Sequence, residues 1–379
     1  MKAEFLVPVH DSRLRLVRFL AVLETLRMRG RPVCGRFVLA LGSTETSDVP
    51  GVSAAGATPE MRRLTPAVDA EVLMLGRPVS AQTIPVSPIG IVSPVVITRA
   101  ALQFLTCRPL VIDCGSFHPP RVASVTLAAS PARCVSSGEA LPLAHVQFLF
   151  GKGLELGRCL AAENDYLVLA ECVPGGTTTA LGVLTALGYK VDGLLSSSLP
   201  EADHALRAGL VRRGLKRAGS LTRSRLEPLE AVAACGDPMQ PVVSGMALAA
   251  AARIPVILAG GSQMLAVWAL MNALAGHTGM EASHLSAAVI TTKWVAFDRS
   301  AALPRLAARL QAPLAAACPE FRRSRHQGLR AYEDGHVKEG VGAGGTLAAA
   351  HLIGAAAPED LMAAIDAMYD ELVAVTAVN

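Results

Sequence analysis

Short apolar runs that stop at glycine or polar residues set the rhythm of this chain, and from residue 165 onward they alternate with longer apolar stretches of helical spacing. Asp165 to Glu171 (DYLVLAE) reads as a buried strand and the following CVPGG as a turn. TTTALGVLTALG then reads as a helix, with threonines suited to its N-cap and Gly188 to its end. The order repeats in ARIPVILAGG, a strand ending at Gly260 and Gly261, and SQMLAVWALMNALAG, a helix. A further strand is expected in SAAVITTKWVAF. Strands alternating with helices imply a parallel sheet covered on both faces, with ligands at the carboxyl ends of the strands, where these glycine turns lie. The fold class is therefore α/β, a parallel Rossmann-like sheet flanked by helices, with a smaller helical part.

Upstream the pattern is shorter and more punctuated. Arg36 to Leu41 (RFVLAL) and Leu110 to Asp113 look like strands. Gly76 to Pro94 (GRPVSAQTIPVSPIGIVSP) carries Pro78, Pro85, Pro88 and Pro94, too many for a regular element, yet its Ile and Val content favours an ordered loop. It would shape a ligand pocket or cover a subunit interface. Ala301 to Arg330 is basic with a helical pattern, Gly335 to Leu347 is a glycine-rich turn feeding an Ala-rich helix from about Thr346, and a last helix spans Pro358 to Val373.

Composition narrows the partners. Hydrophobic residues make up 51% of the 379 residues and aromatics 4%, so the interior must be built from Ala, Leu and Val. A net charge of +4 with no basic run interleaved with aromatics gives no footprint for nucleic acid. The apolar stretch Ser244 to Gly276 is interrupted by Arg253, Pro255, Gly260, Gly261 and Gln263, which fits helix, strand, turn and helix better than a membrane span. Charges at Lys2, Glu4, Asp11 and Arg13 break any signal-peptide core. Eight cysteines without a C-x-x-C pair are expected to be reduced, buried thiols in a cytoplasmic protein. Dispersed histidines with no ligand spacing predict no metal site.

Two segments could carry chemistry. In Glu171 to Thr179 (ECVPGGTTT) a carboxylate at a strand end precedes Gly175, Gly176, Thr177 and Thr178, which offer backbone and hydroxyl donors to an anion at a helix N-terminus. An ordinary capped helix would look the same. The Walker A lysine is missing, so triphosphate hydrolysis is not indicated. In Lys338 to Gly345 (KEGVGAGG) the glycines from Gly340 match G-x-G-x-x-G, but the preceding YEDGHVKE is no hydrophobic strand, which excludes a dinucleotide fingerprint. Glu339 beside Gly340 and Gly342 is then either a general base or a helix-start residue stabilised by the dipole. Arg207, Arg212, Arg213 and Lys216 could reach a phosphate or form a solvated face. Asp113 and Asp298 would orient loops. Asp69 and Glu71 are a helix start or a site carboxylate pair.

ECVPGGTTTALGVL, the stretch from EPLEAVAACGDP to LAGGSQMLAV, and KEGVGAGG, in that order, resemble the nicotinate-nucleotide-dimethylbenzimidazole phosphoribosyltransferase family. GVSAAGATPEMRRLTPAVDAE and PVSPIGIVSPVVITRAAL resemble its divergent archaeal and cyanobacterial-type branch. The resemblance implies a single catalytic unit. Its large α/β domain would lie mainly in residues 32–350, and its small helical part in about 1–30 and 351–379. It also implies a homodimer. By this likeness Glu339 is the general base, Glu171 is the carboxyl before the phosphate loop, and Gly175, Gly176, Thr177 and Thr178 hold the phosphate. A phosphate-contacting lysine of the family falls near Arg207, and the second glycine loop falls at Gly236. Gly260, Gly261, Gly340 and Gly342 are further substrate-binding candidates. The implied reaction moves the phosphoribosyl group of nicotinate mononucleotide onto a benzimidazole-like base without metal or redox cofactor. Other readings are transfer to a different base and a non-catalytic phospho-ligand binder.

Overall fold

The structure, a computed structural model, describes residues 4–12, 14–84, 86–87, 89–201, 203–219, 225–276 and 286–377. Eight strands form one sheet in the order β1-β8-β7-β6-β5-β2-β3-β4. They are β1 (Leu6–His10), β2 (Gly35–Leu41), β3 (Cys107–Asp113), β4 (Ser124–Thr126), β5 (Tyr166–Cys172), β6 (Val256–Ala259), β7 (Ala287–Thr292) and β8 (Leu314–Ala317). Every pairing is parallel except that of β1 with β8. The helices in chain order are α1 (Arg15–Arg27), α2 (Pro59–Leu75), α3 (Val95–Leu102), α4 (Leu143–Glu163), α5 (Gly176–Ala186), α6 (His204–Arg217) and α7 (Pro228–Cys235). They continue with α8 (Met239–Ala251), α9 (Ser262–Ala275), α10 (Lys293–Ala296), α11 (Leu303–Leu310), α12 (Gln327–Arg330), α13 (Ala343–Leu352) and α14 (Pro358–Ala377).

Two-residue periodicity divides the core. Val38, Ala40, Leu167, Leu169, Val256 and Leu258 pack with α4, α8 and α9 on one face. Phe37, Leu39, Val168, Ala170, Ile257 and Ala259 pack with α2, α3, α13 and α14 on the other. With so few aromatics, close contact comes from small residues: a Cβ on Gly153 or Gly157 of α4 would fall 2.2 or 2.4 Å from the carbonyl oxygens of Val242 and Met246 in α8.

Within residues 1–30, the N-terminal share of the expected small helical part, Leu6–His10 forms an edge strand whose backbone is satisfied by β8, and Arg15–Arg27 is helical. Basic Ala301 to Arg330 is not helical throughout, because Leu314–Ala317 (LAAA) is a fully buried strand between β7 and β1. Alanine has little strand propensity of its own, so burial on both faces and two neighbouring ladders decide its state.

Strand order reverses beside β2: the chain runs outward from β2 to β3 and β4, and from β5 through β6 to β7 and β8 in the opposite direction. The crevice beyond the carboxyl ends of β2 and β5 is therefore a topological switch point, where open α/β sheets place their ligands. Among the described residues no helix is long and apolar enough to cross a membrane. All eight cysteines are free. Cys107, Cys114, Cys172 and Cys235 are buried as expected, while Cys34 and Cys159 are exposed, one ahead of β2 and the other on the outer side of α4.

Candidate functional site

A cavity of about 140 Å³, open to solvent, lies at that switch point and is lined from both sides of the sheet. The end of β5 supplies Glu171, and the turn into α5 supplies Gly175, Gly176 and Thr177. Gly261 to Gln263 at the start of α9, Ser196 to Ser198, and Glu339 to Val341 complete much of the wall. Asp69 of α2 and Val86, Ser87, Ile91, Ser93 and Pro94 of the proline-rich segment face the same space. That segment therefore does shape a pocket; its Pro85 and Pro88 lie outside the described residues.

The turn after β5 is tight because Gly175 takes φ +83° as the N-cap, a conformation costly for residues with a Cβ. The threonines sit inside the first helical turn and provide no side-chain cap, contrary to expectation. Each has its own placement. Thr177 lines the cavity, Thr178 is fully buried with an unpartnered hydroxyl, and Thr179 donates to Asp237 at 2.6 Å. Asp237 also accepts from Gln263 at 2.9 Å, and Gln240 donates to Gln263 at 3.0 Å. This buried network fixes the side chain of Gln263 at the cavity wall. The N-terminus of α5 thus offers partial positive charge to an anion, backed by a rigid support.

Glu339 comes from a loop with unusual backbone. Val337 (φ +62°), Lys338 (φ +69°) and Val341 (φ +51°) all lie in the left-handed region, which is strained for β-branched valines. The loop is pinned by Lys338, whose ammonium meets Asp298 at 2.6 Å with the two side chains 1% and 4% exposed, and donates to Leu199 O at 2.9 Å. Burial works against ionisation of Asp298, yet Lys338, Ser196 and Ser300 hold it below the usual carboxylate range. Asp298, which follows α10, therefore does orient loops. Asp113 acts likewise, accepting from the amides of Gly115 at 3.0 Å and Ser116 at 2.9 Å.

The Glu339 carboxylate is clasped by four donors. One oxygen accepts from Thr292 N at 2.8 Å and Thr291 Oγ1 at 3.1 Å, the other from Gly340 N at 3.2 Å and Gly344 N at 3.3 Å. Burial nevertheless pushes its pKa up to about 7, the donors only holding it back. Burial also raises Glu171, helped by the nearby charges of Asp237, Glu339 and Asp69, to about 8. Two acids with raised pKa values facing one cavity have the chemistry to take up or give a proton, or to sit beside an anion as a neutral carboxyl.

Of the other sequence candidates, Gly236, Gly260, Gly342 and Arg207 do not line the cavity. Gly342 caps α13, with room at its Cα only for a hydrogen against Ala170 and Ala259. Arg207 departs from the solvated face expected of α6: Arg212, Arg213 and Lys216 are exposed, but Arg207 is 1% exposed and its Nε and Nη2 have no partner in the protein. Asp69 and Glu71 are separated, as an i, i+2 spacing in a helix demands. Asp69 faces the cavity, while Glu71 accepts from the amides of Val79 and Ser80, both at 2.7 Å, and so anchors the proline-rich segment. Among the described residues no group of three His, Cys, Asp or Glu side chains could hold a metal ion.

The fold is one shared with solved phosphoribosyltransferase structures. The structure superposes on CobT from Thermus thermophilus with a TM-score of 0.62 and 16% identity, covering 91% of this chain and 89% of that one. A second structure, the nicotinate-nucleotide-dimethylbenzimidazole phosphoribosyltransferase from Thermus thermophilus, gives a TM-score of 0.59 at 18% identity over 92% and 94%. Residues 99–296 match the family model described as Phosphoribosyltransferase. A UPF0284 protein of Gloeobacter violaceus is 48% identical over 88% of this chain and 88% of its own, and one of Synechocystis is 47% identical over 83% and 85%. The chain belongs to this phosphoribosyltransferase family, in its UPF0284 group.

Proposed function

We propose that this chain moves the 5-phosphoribosyl group of nicotinate mononucleotide onto a benzimidazole-like base, giving an α-riboside phosphate and free nicotinate. The observation that carries the reading is the placement of Glu339 and Glu171 in the same cavity as the glycine turn at the N-terminus of α5. The phosphate would rest on Gly175, Gly176 and Thr177, with its binding energy fixing C1′ between the two bases. Thr178, Arg207, Gly236, Gly260 and Gly342 would act from behind the wall, shaping the loops that touch substrate.

The base N–H gives its proton to Glu339, most readily to the oxygen held by the longer bonds from Gly340 and Gly344. The other ring nitrogen attacks C1′ opposite nicotinate. The C1′–N bond to nicotinate breaks, its electron pair neutralises the pyridinium nitrogen, and the β-riboside is inverted to α. The leaving group needs no acid, so one carboxylate poised near neutral pH suffices. Glu171, held protonated at neutral pH, can donate to the ribotide without repelling its phosphate. The whole chain would serve as one catalytic unit, an α/β body over about 32–350 with a helical part from the two ends, and as a homodimer.

The test is release of nicotinate from nicotinate mononucleotide with and without 5,6-dimethylbenzimidazole, comparing the intact chain with Glu339→Gln. Base-dependent release lost in the variant supports the reading. Release that survives the substitution removes Glu339 as the base, and undiminished ligand binding without any release favours a non-catalytic binder.

A further inference from the structure

Helix α1 is buried on one side only. Leu16, Phe19, Leu23 and Leu26 pack into the core, while Leu14 and Met28 are 61% and 74% exposed and Val17, Ala21 and Val22 are exposed between them. At about 100° per residue, Val17, Met28, Ala21 and Leu14 form one outward stripe, and Arg18 and Arg29 follow along its edge. Leu14 caps the helix at φ +60°, a left-handed backbone unfavourable for any side chain with a Cβ, yet most of that side chain stays in solvent. In residues 14–31 five arginines less one acid, Glu24, leave +4, equal to the net charge of the whole chain. Arg29 and Arg31 share Asp165, and Arg18 and Arg27 are exposed on the helix itself.

The stripe lies at the end of the sheet opposite the cavity. β1 ends at His10, paired with the first residue of β8, and α1 leads from there toward the start of β2. Arg15 sits over Trp268, whose Nε1 donates to Leu310 O shortly ahead of β8, and Asp165 lies just ahead of β5. Arg108 in β3, Arg253 before β6 and Arg309 before β8 are exposed at the same end. Positive charge is thus spread across the width of the sheet around one convex apolar ridge.

We propose that this end of the molecule docks on an anionic lipid bilayer, with α1 lying in the membrane plane and the cavity facing away from it. Leu14, Val17, Ala21 and Met28 enter below the headgroups, and the arginines, on long flexible stems, stay at the level of the phosphates. A second copy docked antiparallel along the ridge would set Arg18 and Arg29 against their own counterparts, like charge on like. An acidic protein helix would meet the ridge along a single line and leave Arg108, Arg253 and Arg309 uncompensated, whereas a flat anionic surface meets them together.

The experiment is co-sedimentation of the full chain with vesicles of phosphatidylcholine alone, or mixed equally with phosphatidylglycerol. Arg18→Gln with Arg27→Gln, and Val17→Ser with Met28→Ser, are compared with the intact chain. Arg212→Gln with Arg213→Gln, on the exposed face of α6, controls for net charge. The intact chain is expected to sediment with the mixed vesicles, to stay in solution with phosphatidylcholine alone, and to be released by salt. Each arginine at an anionic surface contributes about fivefold, so the double arginine variant of α1 should bind roughly tenfold or more weakly. The double serine variant should also bind several-fold more weakly, and the α6 control should lose little. Because every substituted side chain is exposed, unchanged melting temperatures are expected and separate lost binding from lost folding. The proposal is overturned by absent binding to mixed vesicles, by equal binding to both kinds, by α1 variants that bind like the intact chain, or by an α6 control that loses as much as they do. A fall from dimer to monomer in the double serine variant, read by analytical ultracentrifugation, would place a second copy on the ridge and overturn it as well.

Discussion

Replacing Glu171 by glutamine should make the protein less sensitive to alkali. In the folded chain its carboxyl holds a proton up to about pH 8, because burial and the charges of Asp237, Glu339 and Asp69 oppose ionisation. In the unfolded chain it ionises near 4.5. Between these values the native state binds the extra proton, so stability is full below about pH 4.5 and declines as pH rises through about 8. Each unit separating the two pKa values is worth about 1.4 kcal/mol, which taken in full amounts to several kcal/mol. Glu171 borders an open cavity, and its proton is shared electrostatically with its neighbours, so about 2 kcal/mol is expected. In a chain of this length that corresponds to roughly 2–3 °C in melting temperature. Thermal unfolding at pH 5 and pH 9 reads it directly. Glu171→Gln, neutral throughout, should melt above the intact chain at pH 9 and close to it at pH 5. Parallel melting curves across that range would refute the assignment of a neutral, desolvated carboxyl at the end of β5.

Lys338→Met should destabilise the fold by about 3 kcal/mol in chemical denaturation, because it strands the buried charge of Asp298, and a loss under about 1 kcal/mol would contradict the pinning role given to that pair. Arg207→Met should raise KM for nicotinate mononucleotide about tenfold with little change in kcat if the guanidinium supports the phosphate site from behind; equal losses of kcat and kcat/KM would place it elsewhere. The acid limb of kcat/KM against pH should fall near 7, the value to which burial lifts Glu339, and should vanish in Glu339→Gln; a limb near 4.5 would contradict the desolvated base.

The strand-turn-helix unit around Glu171 was legible because all its determinants are local: a Val/Leu run, two glycines and a helical apolar pattern. Glu339 was singled out by the glycines that follow it. What supports it was not legible, since Thr291 and Thr292 at the end of β7 reach it across almost fifty residues of sequence. Asp69 looked like half of a pair because sequence alone does not fix the helical phase that sends Glu71 to the proline-rich segment instead. Arg207 sits in a run of charges that reads as solvated. It is buried in the neighbourhood of Asp298 and Lys338, residues about ninety or more positions further along the chain, a tertiary placement without a sequence signature. Strand β8 was hidden in the same way, its four residues defined by the neighbours on either side.

The proposed transfer inverts C1′ of nicotinate mononucleotide with Glu339 as the base. Its most direct test is to incubate the protein with nicotinate mononucleotide and a benzimidazole, isolate the riboside phosphate, and determine the configuration at C1′ by nuclear magnetic resonance. An α-riboside 5′-phosphate formed in equal amount with free nicotinate is expected. A β-configured product, or nicotinate released with free ribose 5-phosphate, would contradict it.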